Sequence, residues 1–143
     1  MTLEAAIAAA KESGDYQSVL DAIPYNSFLG LAVRMIDDGP LCVLPADKKL
    51  IGNPVLPALH GGVVGALLES AAIFQLIYRH ETVHIPKTID LSIDYLRSGR
   101  PVETFALAHV TKHGRRVANV RVEAWQDDRS RPIAAAHAHF LLT

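Results

Sequence analysis

The stretch from Gly61 to Tyr78, GGVVGALLESAAIFQLIY, constrains this chain more than any other. Its side chains are apolar or small on nearly every face, and only Glu69, Ser70 and Gln75 interrupt them. A helix of this kind has no side that can face water without loss, so it belongs at the centre of a fold. Glu69 breaks the run before it approaches the roughly 20 uncharged residues that span a bilayer. The expectation is therefore a buried core helix, and a lone carboxylate inside it that must be paired, hydrated or used.

The rest of the chain supplies what surrounds such a helix. Leu3, Ala6, Ile7 and Ala10 recur at helical spacing, Gly14 offers a stop, and Asp15 offers a cap for a second short helix through Leu20. Pro24 is expected to close this N-terminal helical segment, residues 1–24. FLGLAVRMID and PLCVLPAD then read as two strands around the turn DDGP, followed by a proline-containing loop, KKLIGNPVLPAL.

After the long helix the period changes to two. In TIDLSIDYL, Ile89, Leu91, Ile93 and Tyr95 alternate with Asp90, Ser92 and Asp94, and strict alternation puts Thr88 on the Asp90 face. VETFALAHVT follows. RRVANVRVEAW sets Ala118, Val120, Val122 and Ala124 on one face, and IAAAHAHFLL does the same with Ala134, Ala136, Ala138, Phe140 and Leu142. Short turns between consecutive strands imply antiparallel pairing. The pattern fits one α+β domain over residues 1–143, a single sheet curled around one buried helix.

His60-Gly61-Gly62 sits where the loop becomes that helix. First-turn amides lack internal partners and carry partial positive charge, and glycines leave them unshielded. The pair is either an oxyanion site or simply a tight turn into a packed helix. Glu69 is either the acid serving that site or a salt-bridged core residue. It lies seven residues from Gly62, about 700° around the helix and so nearly the same face, but roughly 10 Å along the axis. Catalytic contacts lie near 3 Å. If the two act together, two such helices must run antiparallel, each acid facing the other chain's amides, giving two equivalent sites per dimer.

Composition removes other classes. Fourteen Lys and Arg face fifteen Asp and Glu, so no broad basic field is available for nucleic acid. The single Cys42 cannot form an internal disulfide and reads as a small buried hydrophobe in a reducing compartment. Glu4 stands where a secretion signal needs positive charge, so a soluble cytoplasmic protein without membrane partners is expected. His137 and His139 share a strand face, but two ligands are too few for a metal site. The basic run Lys112–Arg116 suits a solvated turn or a phosphate contact. Tyr16, Tyr25 and Phe28 are candidates to line an apolar pocket.

HGGVVGALLESAA, with its acid nine residues after the histidine, resembles the helix signature of hotdog-fold acyl-CoA thioesterases of the phenylacetate-pathway (PaaI-like) type. NSFLGLAVRMIDDGPLCVLP resembles the opening strands of that family, TIDLSIDYLRSG its strand after the helix, and GRRVANVRVEAWQDD with PIAAAHAHFLL its last hairpin. The resemblance implies a hotdog fold, edge-to-edge dimers that in some cases pair into tetramers, and hydrolysis of an acyl-CoA at a site between subunits, with neither metal nor cofactor beyond the coenzyme A of the substrate. It implies that the amide of Gly61, with Gly62 behind it, binds the thioester oxygen. It further implies that Glu69 acts on water as general base or attacks as nucleophile, that Asn53 helps bind the oxygen, and that Thr88 positions the water. His60 sets the loop against the helix beside the substrate, and Arg97, Lys112, Arg115 and Arg116 meet the nucleotide end of coenzyme A. Most members of this type carry aspartate at the position of Glu69. A non-catalytic acyl-CoA-binding module is the alternative on the same fold. A hydratase is disfavoured, because the aspartate expected five residues before His60 is Val55.

Overall fold

The computed structural model describes residues 2–143. Three short helices open the chain: α1 (Leu3–Ser13), α2 (Tyr16–Asp21) and α3 (Pro24–Leu29). The Thr2 side chain caps α1 by accepting the Ala5 N–H, and Gly14 ends it in the left-handed region at φ 82°. Asp15 caps α2 through the Ser18 N–H. Pro24 opens a helix instead of closing one. It occupies the first turn of α3, where its missing N–H would have had no partner anyway. Phe28 therefore lies in α3 and is exposed, and the first strand starts only at Ala32, after the left-handed Gly30.

Strands β1 (Ala32–Ile36) and β2 (Gly39–Leu44) follow. A 3-10 turn, Lys48–Leu50, leads into a two-stranded ribbon of β3 (Ile51–Asn53) and β4 (Ala58–Leu59). Then come the long helix α4 (Gly61–Arg79) and strands β5 (Lys87–Tyr95), β6 (Thr104–His113), β7 (Val117–Trp125) and β8 (Ala134–Leu141). The six longer strands form one antiparallel sheet in the order β1-β2-β6-β7-β8-β5. This is the hotdog arrangement, with the sheet wrapped around α4.

The core lies between them. Twelve of the nineteen α4 residues are buried. Leu67, Leu68, Phe74, Leu76 and Ile77 are almost wholly covered, each stabilising the fold by about 1.5–3 kcal/mol. This burial explains a helix long and apolar enough to cross a membrane by composition alone. Ala118, Val120, Val122 and Ala124 of β7, and Ala134, Ala136, Ala138 and Phe140 of β8, face α4 with the expected alternation.

β5 is an edge strand and runs antiparallel to α4. Tyr95 lies over Gly61, Ile93 over Gly65, and Thr88 reaches Glu69. The two glycines stand one helical turn apart, and a Cβ on Gly65 would come within 3.1 Å of Ile93 Cδ1. That close approach is what a side chain there would prevent. The pairing of β5 with β8 shifts between Thr88 and Asp90, leaving Ile89 in a bulge and 54% exposed. The extra residue reverses the parity read from strict alternation. Thr88 pairs opposite the buried Phe140 and turns inward, while Asp90 stays outside opposite His139.

Candidate active site

The N-terminus of α4 is held from three directions. The His60 backbone N–H donates to Leu50 O at 2.9 Å, and its ring Nδ1 accepts the Gly62 N–H at 2.9 Å. Gly52 packs so tightly on His60 that a Cβ would meet the His60 Cα at 2.6 Å, which fixes the ribbon against the helix entry. From the other side the Tyr95 hydroxyl donates to Gly61 O at 2.8 Å. His60 thus occupies the Gly62 amide, and the Gly61 N–H is the donor left without a hydrogen-bond partner among the described residues. Beside it opens a cavity of about 390 Å³ lined by Leu59, Gly61, Val64, Tyr95 and Arg97.

Glu69 is half-buried on the α4 face toward β5. It forms no ion pair among the described residues. The Thr88 hydroxyl donates to its Oε2 at 2.8 Å. One carboxylate oxygen is therefore fixed and the other remains available. Eight residues separate Gly61 from Glu69, roughly 12 Å along the helix axis. Within one protomer the free amide and the carboxylate stand at separate stations.

The remaining sequence-derived candidates distribute between these stations. Asn53 folds back on its own loop, its Oδ1 accepting the Val55 and Leu56 N–H groups at 3.0 and 3.4 Å. The arrangement is an Asx turn that Pro54 and Pro57 stiffen, so its side-chain oxygen is engaged locally. Arg97 follows β5 at the Gly61 end, and its guanidinium donates to Pro132 O at 2.7 Å. Lys112, Arg115 and Arg116 gather at the β6–β7 turn around a cavity of about 560 Å³. That turn lies at the Thr88 end, because Val117 and Lys87 both pair with Leu141. Tyr95 and Ala124, by contrast, both pair with Ala134. The seven steps of β8 between these registers span about 23 Å. Arg97 and the basic turn of one chain are thus at opposite ends of the sheet.

Other candidates take structural places. Tyr16 is buried edge-on against Tyr78, with ring centroids 5.7 Å apart, and burial holds its phenol above its ordinary pKa. Tyr25 and Phe28 stack on each other at the exposed surface. Cys42 is wholly buried, which pushes its thiol up to about 12 and leaves it inert as a nucleophile. His139 Nδ1 lies 2.7 Å from Asp90 on the outer sheet face. Two polar roles were absent from the sequence reading. Tyr95 sits in the right alternation but reads there as one more core-facing aromatic. Gln75 plugs the gap where β2 parts from β6, donating to Asp38 O at 2.9 Å and Ala108 O at 2.8 Å.

Comparison with known proteins places this geometry in context. The model of the thioesterase superfamily matches residues 56–133, which contain the His-Gly-Gly entry, α4 and strands β5 to β7. The medium/long-chain acyl-CoA thioesterase YigI of Salmonella typhimurium is 31% identical over 134 residues, covering 84% of this chain and 86% of that protein. A solved structure from Chromobacterium violaceum superposes with a TM-score of 0.79 at 43% identity, covering 96% of each chain. A phenylacetic acid degradation-related protein of Ralstonia eutropha superposes at 0.73 with 25% identity, covering 84% of this chain and 91% of that one. With a family match over more than half its length and a relative of this identity and coverage, the chain belongs to the thioesterase superfamily.

Proposed function

We propose that this protein is an acyl-CoA thioesterase that hydrolyses medium- or long-chain substrates to the free acid and coenzyme A. Each site is completed across a homodimer. The observation that carries the reading is Glu69, a half-buried carboxylate with no ion pair among the described residues, held on one oxygen by Thr88. A structural acid in a core would be neutralised. This one is oriented and left with an open oxygen. The acyl-chain length is carried over from the name of the YigI relatives.

The distance between stations supports a dimer. β5 is an edge strand, and an unpaired edge offers a ready surface for a second strand. Exposed Ile89, Tyr95 and Leu96 lie along it and just beyond it. Two β5 strands paired about a two-fold axis set the two α4 helices antiparallel and bring Gly61 of one chain toward Glu69 of the other. The same operation brings Arg97 of one chain toward the basic turn of its twin, so four cations from two chains would meet the phosphates of coenzyme A. Dimers of this kind can pair further into tetramers. The lone buried Cys42 suits a reducing cytoplasm.

In this site Glu69 takes a proton from a water held beside its free oxygen. The water oxygen bonds to the thioester carbon, and the carbonyl oxygen gathers negative charge facing the partner chain's Gly61 N–H. Collapse breaks the C–S bond, returns the carbonyl, and releases the coenzyme A thiolate, which takes the proton.

The test is thiol release from a panel of acyl-CoAs of increasing chain length, with an aromatic acyl-CoA included. Medium or long chains should turn over, and Glu69→Gln should lower kcat by about 10²–10⁴-fold while leaving the dimer intact. Tight binding of acyl-CoA with no thiol released would instead identify a binding module.

A further inference from the structure

The hydrogen bond from Tyr95 to Gly61 lies outside the acid, the amide and the basic residues considered so far. We infer that Tyr95 is a positioning residue for the oxyanion amide. Its hydroxyl holds the Gly61–Gly62 peptide so that the neighbouring Gly61 N–H stays aimed out of the helix. The inference rests on the thioesterase reading above for its catalytic consequence.

The entry to α4 needs such a hold. Gly61 and Gly62 are consecutive, so no side chain restricts rotation of the peptide between them, and first turns of helices fray. That peptide is gripped at both ends. Its N–H goes to His60 Nδ1 at 2.9 Å, and its carbonyl accepts from Tyr95 at 2.8 Å. The preceding peptide is fixed in turn, with His60 O accepting the N–H groups of Val63 and Val64 at 3.0 and 3.2 Å. The Gly61 N–H therefore lies between two immobilised carbonyls. Preorganised donors of this kind stabilise developing charge because they need no rearrangement during the reaction.

The hydroxyl is separable from the ring. The Tyr95 ring already covers Gly61, where a Cβ would stand 3.4 Å from it, and a phenylalanine would pack in the same way. What phenylalanine lacks is the donor to Gly61 O. The ring also lines the cavity beside Gly61, so loss of the ring and loss of the hydroxyl must be distinguished by different kinetic constants.

Two measurements on Tyr95→Phe decide the matter. The first is steady-state hydrolysis of the acyl-CoA that the wild type turns over fastest. We expect kcat to fall about tenfold with KM within about twofold, as for a small misplacement of a catalytic group. The second is amide hydrogen exchange of Gly62 in the free protein, read by NMR. It should quicken about tenfold as the peptide loses the Tyr95 restraint on its carbonyl. An unchanged kcat, a rise in KM alone, or unchanged Gly62 exchange would each overturn the assignment. The exchange measurement needs no turnover. A wild type that hydrolyses none of the panel would sink the thioesterase reading, while the exchange rates would still decide whether the Tyr95 clamp exists.

Discussion

At the Gly61 end of α4 the backbone offers the proposed donor and side chains hold it. At the Glu69 turn a side chain offers the proposed acid, and an irregularity in the backbone lets it be held. The first station has a bare N–H, with His60 on one side of its peptide neighbour and Tyr95 on the other. The second has a carboxylate whose partner, Thr88, faces inward only because β5 bulges at Ile89. The same edge strand reaches both, through Tyr95 near its end and Thr88 near its start. The difference teaches that a donor fixed in a helix terminus and an acid fixed on a helix flank are each held in place within one chain. In the proposed site their mutual distance would be set by the pairing of two chains, not by motion within one.

Breaking the donor station should have the largest effect among variants that leave Glu69 intact. Gly61→Pro removes the N–H from a position where proline suits a helix, and His60 already has the extended conformation a following proline requires, with φ −63° and ψ 132°. The new Cβ would meet the Tyr95 ring at an ordinary 3.4 Å. Turnover should fall by about 10²–10³-fold with the fold retained, as for loss of an oxyanion donor. Activity near wild type would show that the amide carries no charge in the reaction.

The acid station should respond more gently to loss of its support. Thr88→Val keeps the shape and deletes the donor to Glu69. A drop in kcat of about tenfold is expected, with Thr88→Ser restoring most of it. Equal rates for valine and serine would mean that Glu69 needs no orientation.

The far end of α4 sharpens the contrast, because its polar contacts lie away from both stations and should affect stability and not rate. There Lys11 Nζ donates to Ile77 O and His80 O at 2.6 Å each, and the His80 ring lies 4.1 Å from that of His113. Burial, then His113 and Lys11, hold His80 below its ordinary value of 6.5, with Glu81 opposing them. The folded protein thus resists a proton that the unfolded chain accepts. The contribution is present above about pH 6.5 and is lost as the pH falls below it. Melting temperatures measured from pH 7.5 to 5 should decline less steeply for His80→Gln than for the wild type. Identical slopes would show that this pair does not govern acid sensitivity.

Much of this was legible in the residues. The all-round apolarity of Gly61–Tyr78 dictates a core helix, and the period-two runs of β7 and β8 dictate which residues meet it. Glu69 stood out because a charge in such a run is costly without a purpose. Two readings failed for local reasons. Pro24 serves equally well as a stop or as a first-turn residue, and only the packing of Leu29 and Asn26 in α3 decides between them. Strict alternation puts Thr88 on the outer face only if the ladder is regular, and a one-residue bulge leaves no mark in composition. The grip of Tyr95 on Gly61 joins residues 34 positions apart, and the docking of β5 on α4 creates it.

The most direct test of a site shared between chains is complementation. Glu69→Gln and Gly61→Pro subunits, each inactive alone, are mixed, unfolded and refolded together. A mixed dimer pairs the intact Gly61 of one subunit with the intact Glu69 of the other, and its second site carries both defects. With random pairing, about a quarter of wild-type activity should return, because half the dimers are mixed and each has one working site. If mixing restores nothing while mixed dimers are shown to form, amide and acid must work within one chain, and the shared site is wrong.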